Sequence, residues 1–330
     1  MSDPELAARE RDFYRERVDA VFTGPEPQAW EARKGALDAA FAAGWAAGAD
    51  PRDPGIVASL RDIAQLGVVM LESLRGRADG APYRGAVVPV PLGLTPGEFD
   101  AGQWSTCLFA ATAAQDAASA VRLSRVRFDA FVRGGPAGQA ELAQALTAVW
   151  VGDGDVGGAV VAALERTDPS GLTDEQTDAA LALVVPQAAV LDELARGSAP
   201  SATLADAAEK YAAYWAGQEP ELLLAVELCG LTVLSRLLGH PADVHAAPLA
   251  SAVVDADPAT ITACPVCAEP FDAAEQRCHW CATDLTADAP LELTLDRWLQ
   301  EPRRPCGSCS SLVHAQALRC WSCRERPGDG

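Results

Sequence analysis

From residue 3 to residue 240 apolar side chains recur at three- and four-residue spacing, in runs separated by Gly, Pro and Asp. That period is the mark of amphipathic helices. Pro4–Phe22 predicts a first helix closed by Thr23-Gly24-Pro25, and Gln28–Ala47 predicts a second that ends at Gly48. A third spans Gly55–Arg75, with Ile56, Leu60, Ile63 and Leu66 on one face. Asp79–Pro96 breaks the pattern with Pro82, Pro89, Pro91 and Pro96, and Ala86-Val87-Val88 is its only strand-like run. It is expected to be a long crossover loop, with a divider between two helical subdomains as the alternative.

Helices resume near Pro96, with Thr95 expected as N-cap and Glu98 in the first turn. The segment to Arg133 holds one extended helix or two broken ones. Pro136 opens another helix, to Trp150, and a shorter one covers Val156–Arg166. Thr173-x-x-Gln176 has the form of a capping box, and Pro186 should kink or split the helix that it opens, before Gly197. Leu204, Ala208, Tyr211 and Trp215 mark the next helix. Glu219–Leu238 is apolar nearly all round, as a central core helix is, with Gly239 as its C-cap. Glu227 and Arg236 interrupt this stretch, which favours a buried helix over a membrane span. The expected organisation is an all-α multi-helix bundle over 1–240, a linker over 241–262, and a small cysteine-rich unit over 263–330.

Eight of the ten cysteines fall in that last unit, in two copies of one pattern. The first is Cys264-x2-Cys267-x10-Cys278-x2-Cys281, and the second is Cys306-x2-Cys309-x10-Cys320-x2-Cys323. A Cys-x-x-Cys knuckle aims two thiolates at one point, and two knuckles supply the tetrahedral sulfur set that Zn2+ favours. Two structural zinc ions are therefore expected. Sequential pairing within each copy is natural, because ten residues suit a hairpin return; a crossed pairing is the other arrangement. Between the copies, Leu291–Leu299 is expected to form a short strand and helix turn that packs between the sites. Cys107 and Cys229 lie in apolar helical settings and are expected in the core.

Composition narrows the picture. Alanine supplies 66 residues, and two lysines (Lys34, Lys210) stand against 24 arginines, a bias that fits a high-GC bacterial genome. With so much alanine and only 8 Phe and 4 Tyr, closely packed helices are favoured over sheets. The formal net charge is −20, and residues 264–330 are no basic island, with 10 acidic and 7 basic side chains. Such a balance repels phosphate backbones and favours protein partners. The charged, amphipathic amino terminus carries no secretory pattern, and paired metal-spaced thiols suit a reducing cytoplasm.

Cys264-Pro-Val-Cys267 with Cys278-His-Trp-Cys281, and Cys306-Gly-Ser-Cys309 with Cys320-Trp-Ser-Cys323, resemble the double zinc ribbon of many bacterial and archaeal proteins. The resemblance covers about 60 residues and implies short β-hairpins and an attachment or recognition role. Ala268, Ala282, Ser310 and Arg324 stand where that family places glycine. The spacing alone is also that of Ran-binding-protein-type zinc fingers, but their tryptophan and asparagine positions here hold Thr262 and Phe271, and Arg304 and Val313.

Other motifs weigh less. His279 and His314 lie beside complete cysteine sets and are expected to be exposed or to support the ligands. Trp280 and Trp321, close after Arg277 and Arg319, either pack over the metal sites or form a recognition surface. Gly152-x-Gly154-x-x-Gly157 lacks the strand and acidic residue of a dinucleotide site. Arg122, Arg125, Arg127 and Arg133 are expected on a solvated face or beside carboxylates. Residues 1–239 contain no histidine, which removes His-based acid–base catalysis from the helical part. The expectation is a zinc-stabilised adaptor or regulatory protein that binds a protein partner, with no catalytic residue or small-molecule substrate identified. A nucleic-acid-associated factor using Arg303, Arg304, Arg319, Arg324 and Arg326 is the alternative; a carboxylate-based enzyme in the helical part is the third.

Overall fold

Among the described residues, twelve helices precede the cysteine-rich region in the computed structural model, which describes residues 4–23, 28–76, 80–91, 93–126, 131, 134–152, 155–216 and 224–327. Helices α1 (Pro4–Asp19), α2 (Ala29–Ala49) and α3 (Gly55–Leu74) pack in succession, because α2 turns a nearly all-Ala/Gly face inward. Helix α3 is the axis of the fold, with Ile56, Leu60, Ile63 and Leu66 buried as their spacing requires. Against it lies α4 (Ala101–Ala113), followed by α5 (Ala117–Ser124). A side chain at Gly67 would come within 2.5 Å of Cys107 Cβ, so this crossing depends on glycine facing cysteine. On the far side of α4, Gly230 plays the same part against the Phe109 carbonyl, at 2.9 Å.

The segment between α3 and α4 is more ordered than its prolines suggest. β1 (Ala81–Tyr83) and β2 (Ala86–Val88) form an antiparallel hairpin through Arg84 and Gly85, both at positive φ (50° and 74°). Two such residues make the tight turn that matches strand twist. Arg84 occupies it because its guanidinium is held by both Asp62 oxygens at 2.7 Å. Thr95 does not cap a helix: with Glu98 it closes a local turn, and α4 starts at Ala101, where Asp100 accepts from Gln103 N–H. Gln115, at φ 52°, separates α4 from α5, so this stretch is two helices.

The remaining helices are α6 (Gln139–Val151), α7 (Val156–Arg166), α8 (Asp174–Ala179), α9 (Val185–Ala195), α10 (Ser201–Tyr214), α11 (Val226–Leu237) and α12 (Ser251–Val254). α6 begins after Gly138, at φ 88°, three residues beyond Pro136. Thr173 and Gln176 form the capping box that opens α8. The α-helical run is split just before Pro186: a π segment over Ala180–Val184 separates α8 from α9, which carries the proline in its first turn. The start of the expected core helix at Glu219 lies outside the described residues, and α11 itself is buried between α4 and its neighbours. No helix among the described residues is long and apolar enough to cross a membrane.

Residues 241–259 lie against the helical body. Val244, Leu249, Ala250, Val253 and Val254 join its core, and Gln115 brackets the segment by donating to Asp257 O and accepting from Ala259 N–H. The tail then adds β3 (Thr260–Ala263), β4 (Leu291–Thr294), α13 (Leu295–Gln300), β5 (Arg303–Pro305) and β6 (Leu312–His314). β3 pairs antiparallel with β4, and β5 with β6. The chain is thus mostly helical, with small two-stranded sheets and two cysteine clusters at its carboxyl end.

Candidate metal centres

Each cysteine knuckle is built by the same two backbone hydrogen bonds. The residue after the second cysteine donates to the first cysteine's carbonyl, as Ala268 to Cys264 and Arg324 to Cys320 do at 2.8 and 2.9 Å. The first cysteine in turn donates to the residue beyond, as Cys264 does to Glu269 O at 2.9 Å. Closing so tight a turn forces the residue after the second cysteine into the left-handed region. Ala268, Ala282, Ser310 and Arg324 sit there at φ 58°, 61°, 61° and 65°. These are the four positions where the double zinc ribbons that the cysteine pattern resembles have glycine. Each non-glycine residue held there costs roughly 1 kcal/mol.

The knuckles converge in sequential pairs. In the first quartet Cys264 Sγ and Cys281 Sγ are 3.7 Å apart, and Cys267 Sγ and Cys278 Sγ 3.5 Å. In the second, Cys306–Cys323 and Cys309–Cys320 are both 3.6 Å. All four sulfurs of each set lie within 4.8 Å of one another. A tetrahedron with Zn–S bonds of about 2.3 Å has edges of about 3.8 Å, so the spacing fits zinc and is far too long for disulfides. Amide N–H groups of Val266 and Ser322 point at Cys264 Sγ and Cys320 Sγ, 3.5 and 3.4 Å away, and favour the thiolate form. The eight cysteines are positioned to bind two zinc ions. With four thiolates each, both centres have a filled coordination sphere, which is the structural kind of site.

The first quartet is sealed against the helices. Its cysteines are all buried, while in the second Cys309 is exposed and Cys323 half-buried. Two arginines of α5 and its C-cap reach into the first ribbon: Arg122 pairs with Glu275, and Arg125 with the fully buried Glu269 at 2.8 Å. Arg303 completes a buried charge cluster, 4.0 Å from the same Glu269 oxygen and with its guanidinium 4.3 Å over the Trp298 ring. Burial pulls the Arg303 guanidinium below its usual value while Glu269 opposes the shift, and burial pushes the Glu275 carboxyl up against the pull of Arg122. Arg127 and Arg133 lie outside the described residues.

Trp298 joins the two ribbons to the core. Its indole N–H donates to Ala268 O in the first ribbon at 2.9 Å, and its ring stacks on His314 in the second. It also lies 6.3 Å from the buried Trp150 ring of α6. The inter-quartet strand and helix turn thus pack between the sites as their sequence predicts. His314 is fully buried rather than exposed, near Glu301 at 3.3 Å, and burial lowers its pKa. His279 approaches Glu72 of α3. Neither histidine belongs to a metal set.

Trp280 and Trp321 meet edge to face at 5.7 Å, and the Arg125 guanidinium lies 4.5 and 3.8 Å from their ring centres. Both rings thus contact Arg125, where cation–π contact adds to the buried ion pair, and both are half-buried and also line an open cleft. The ribbons also join through backbone, since Leu318 and Arg319 both donate to Val266 O. The sequence placed the eight ligands and the segment that carries Trp298, but gave no sign of Glu269 and Glu275 as docking contacts. Their partners lie far away along the chain, and no local pattern marks them.

Gly152, the first glycine of the nucleotide-like motif, is the left-handed C-cap of α6 and lies against Arg303; Gly154 is outside the described residues. Cys107 and Cys229 are buried, and burial pushes each thiol up to about 12. No protein-family model, curated protein or solved structure matches this chain.

Proposed function

We propose that this chain is a zinc-stabilised adaptor of the double zinc ribbon type, which binds a protein partner in a reducing compartment. Its closed four-cysteine centres leave no coordination position for water or substrate, so the zinc serves as scaffold. The observation that carries the reading is Leu318, an apolar side chain 65% exposed where the second ribbon meets the first. It lines a shallow depression with Val266, Arg319 and Arg326, and an apolar anchor ringed by arginine is the composition of a protein-binding patch. Val161 and Leu164 of α7, both exposed, offer a second surface on the helical side.

The test is recovery of tagged full-length protein under native, nuclease-treated conditions, alongside Leu318→Asp. A stoichiometric protein partner that the variant loses is expected. A chain that elutes alone, or accompanied only by nucleic acid, contradicts the reading.

A further inference from the structure

A cleft of about 1550 Å³ lies between the β1–β2 hairpin and the two ribbons. That exceeds the ~300–1,000 Å³ of ordinary small-molecule pockets. Its charge runs against that of the protein. In a chain of net charge −20, Arg75, Arg125, Arg277 and Arg324 line it, opposed by Glu275 and Asp284. Three of these six are already engaged: Arg75 with Glu72, Arg125 with Glu269, and Glu275 with Arg122. Arg277 and Arg324 remain exposed; Arg277 lies across a β-bridge from Asp284 and acts on its carboxylate, while no salt bridge holds Arg324 among the described residues.

The opposite wall is the β1–β2 hairpin, which contributes Pro82 of β1 with Ala86 and Val87 of β2. Tyr83 and Ala86 flank the two-residue turn and are directly paired, so the next pair, Pro82 and Val87, is the one without mutual hydrogen bonds. Val87 therefore turns its backbone N–H and C=O away from β1, and among the described residues β2 has no other strand beside it. Val87 lines the cleft and is half-exposed. A free edge of this kind recognises an extended peptide backbone, which a nucleic acid does not possess.

We infer that this cleft receives an extended acidic segment of a partner protein, paired to β2 and clamped by Arg277 and Arg324. The inference rests on the adaptor reading and adds to the Leu318 patch a second contact surface for the partner. A long polyanion would run from the cleft onto an acidic exterior, whereas a short acidic peptide ends within it.

The probe is a fluorescein-labelled decapeptide of alternating Val and Glu, titrated with zinc-loaded full-length protein and read by anisotropy. Its Gln-for-Glu counterpart and decathymidylate serve as comparisons. The Glu peptide should bind at least about tenfold more tightly than either at roughly 50 mM salt, and weaken as salt rises. The double variant Arg277→Glu/Arg324→Glu should lose at least about tenfold while keeping two zinc ions and the wild-type melting temperature. Val87→Pro, which removes one edge donor, should weaken the peptide by a smaller factor. Unchanged affinity in the charge-reversed protein, or tighter binding of decathymidylate, overturns the inference. A partner that co-purifies equally with wild-type and charge-reversed protein overturns the cleft while sparing the adaptor reading. A wild-type protein that binds the peptide as described but captures no partner supports the cleft and removes the adaptor.

Discussion

The two zinc ribbons share a cysteine pattern, a knuckle geometry and a sulfur spacing, yet they occupy different environments. The first is walled in by α3 and α5: its four thiols are buried and two of its carboxylates pair with helical arginines. The second touches the helical body mainly through Arg303 and the Arg125–Trp321 contact, and leaves Cys309 open to solvent. Cysteine spacing fixes the metal set, but surroundings decide what that metal supports. The first ribbon is a wall of the helical fold, and the second is fastened chiefly to the first.

Removing one ligand from each ribbon should separate them most strongly. Cys267→Ser should leave one zinc per chain and loosen the helical region, because structural zinc contributes about 10–16 kcal/mol of apparent folding energy. Cys309→Ser should also leave one zinc, but with the main thermal transition within a few degrees of wild type. Zinc analysis and circular dichroism melts distinguish the two. Equal losses of helix would break the comparison.

Next in size is the clamp. Arg125→Ala leaves Glu269 buried beside Arg303 alone and withdraws the cation from between Trp280 and Trp321. A loss of about 3–5 kcal/mol is expected by denaturant unfolding, because one partner of a buried pair is left behind. In the second ribbon Arg319→Ala, at an exposed position, should change stability by less than about 0.5 kcal/mol.

The smallest effects concern the left-handed positions. Ala282→Gly, Ser310→Gly and Arg324→Gly should each raise stability by about 1 kcal/mol, since these side chains are exposed and only the backbone strain is relieved. Ala268→Gly should gain less. Its methyl is buried among Cys306, Val313 and Ala317, and losing it costs about as much as the strain relieved. Thermal shifts of the four variants give the ranking.

How much of this was readable in the sequence depends on the range of the interaction. The eight ligands and most helices were legible because knuckle spacing and helical period act within a few residues. The absence of glycine at Ala268, Ala282, Ser310 and Arg324 also marked the strained positions, although the strain itself appears only in the backbone. Of the hairpin at Ala81–Val88 only the strand-like run Ala86–Val88 was legible; its pairing was hidden because the turn uses Arg-Gly, which the distant Asp62 holds in place. Thr95–Glu98 had the right letters for a cap, but Asp100 lies closer to the helix that forms. Docking of the ribbons could not be read at all, since Arg125 and Glu269 meet only after both parts fold.

The difference between the ribbons is tested most directly by stepwise zinc release from the native protein. A chelator is added, released metal is followed by native mass spectrometry, and freed thiols are trapped with N-ethylmaleimide and mapped. The account predicts a one-zinc species with helical content intact, labelled at Cys306, Cys309, Cys320 and Cys323 while Cys264, Cys267, Cys278 and Cys281 stay protected. Labelling of both quartets at one rate, or of the first before the second, would contradict it.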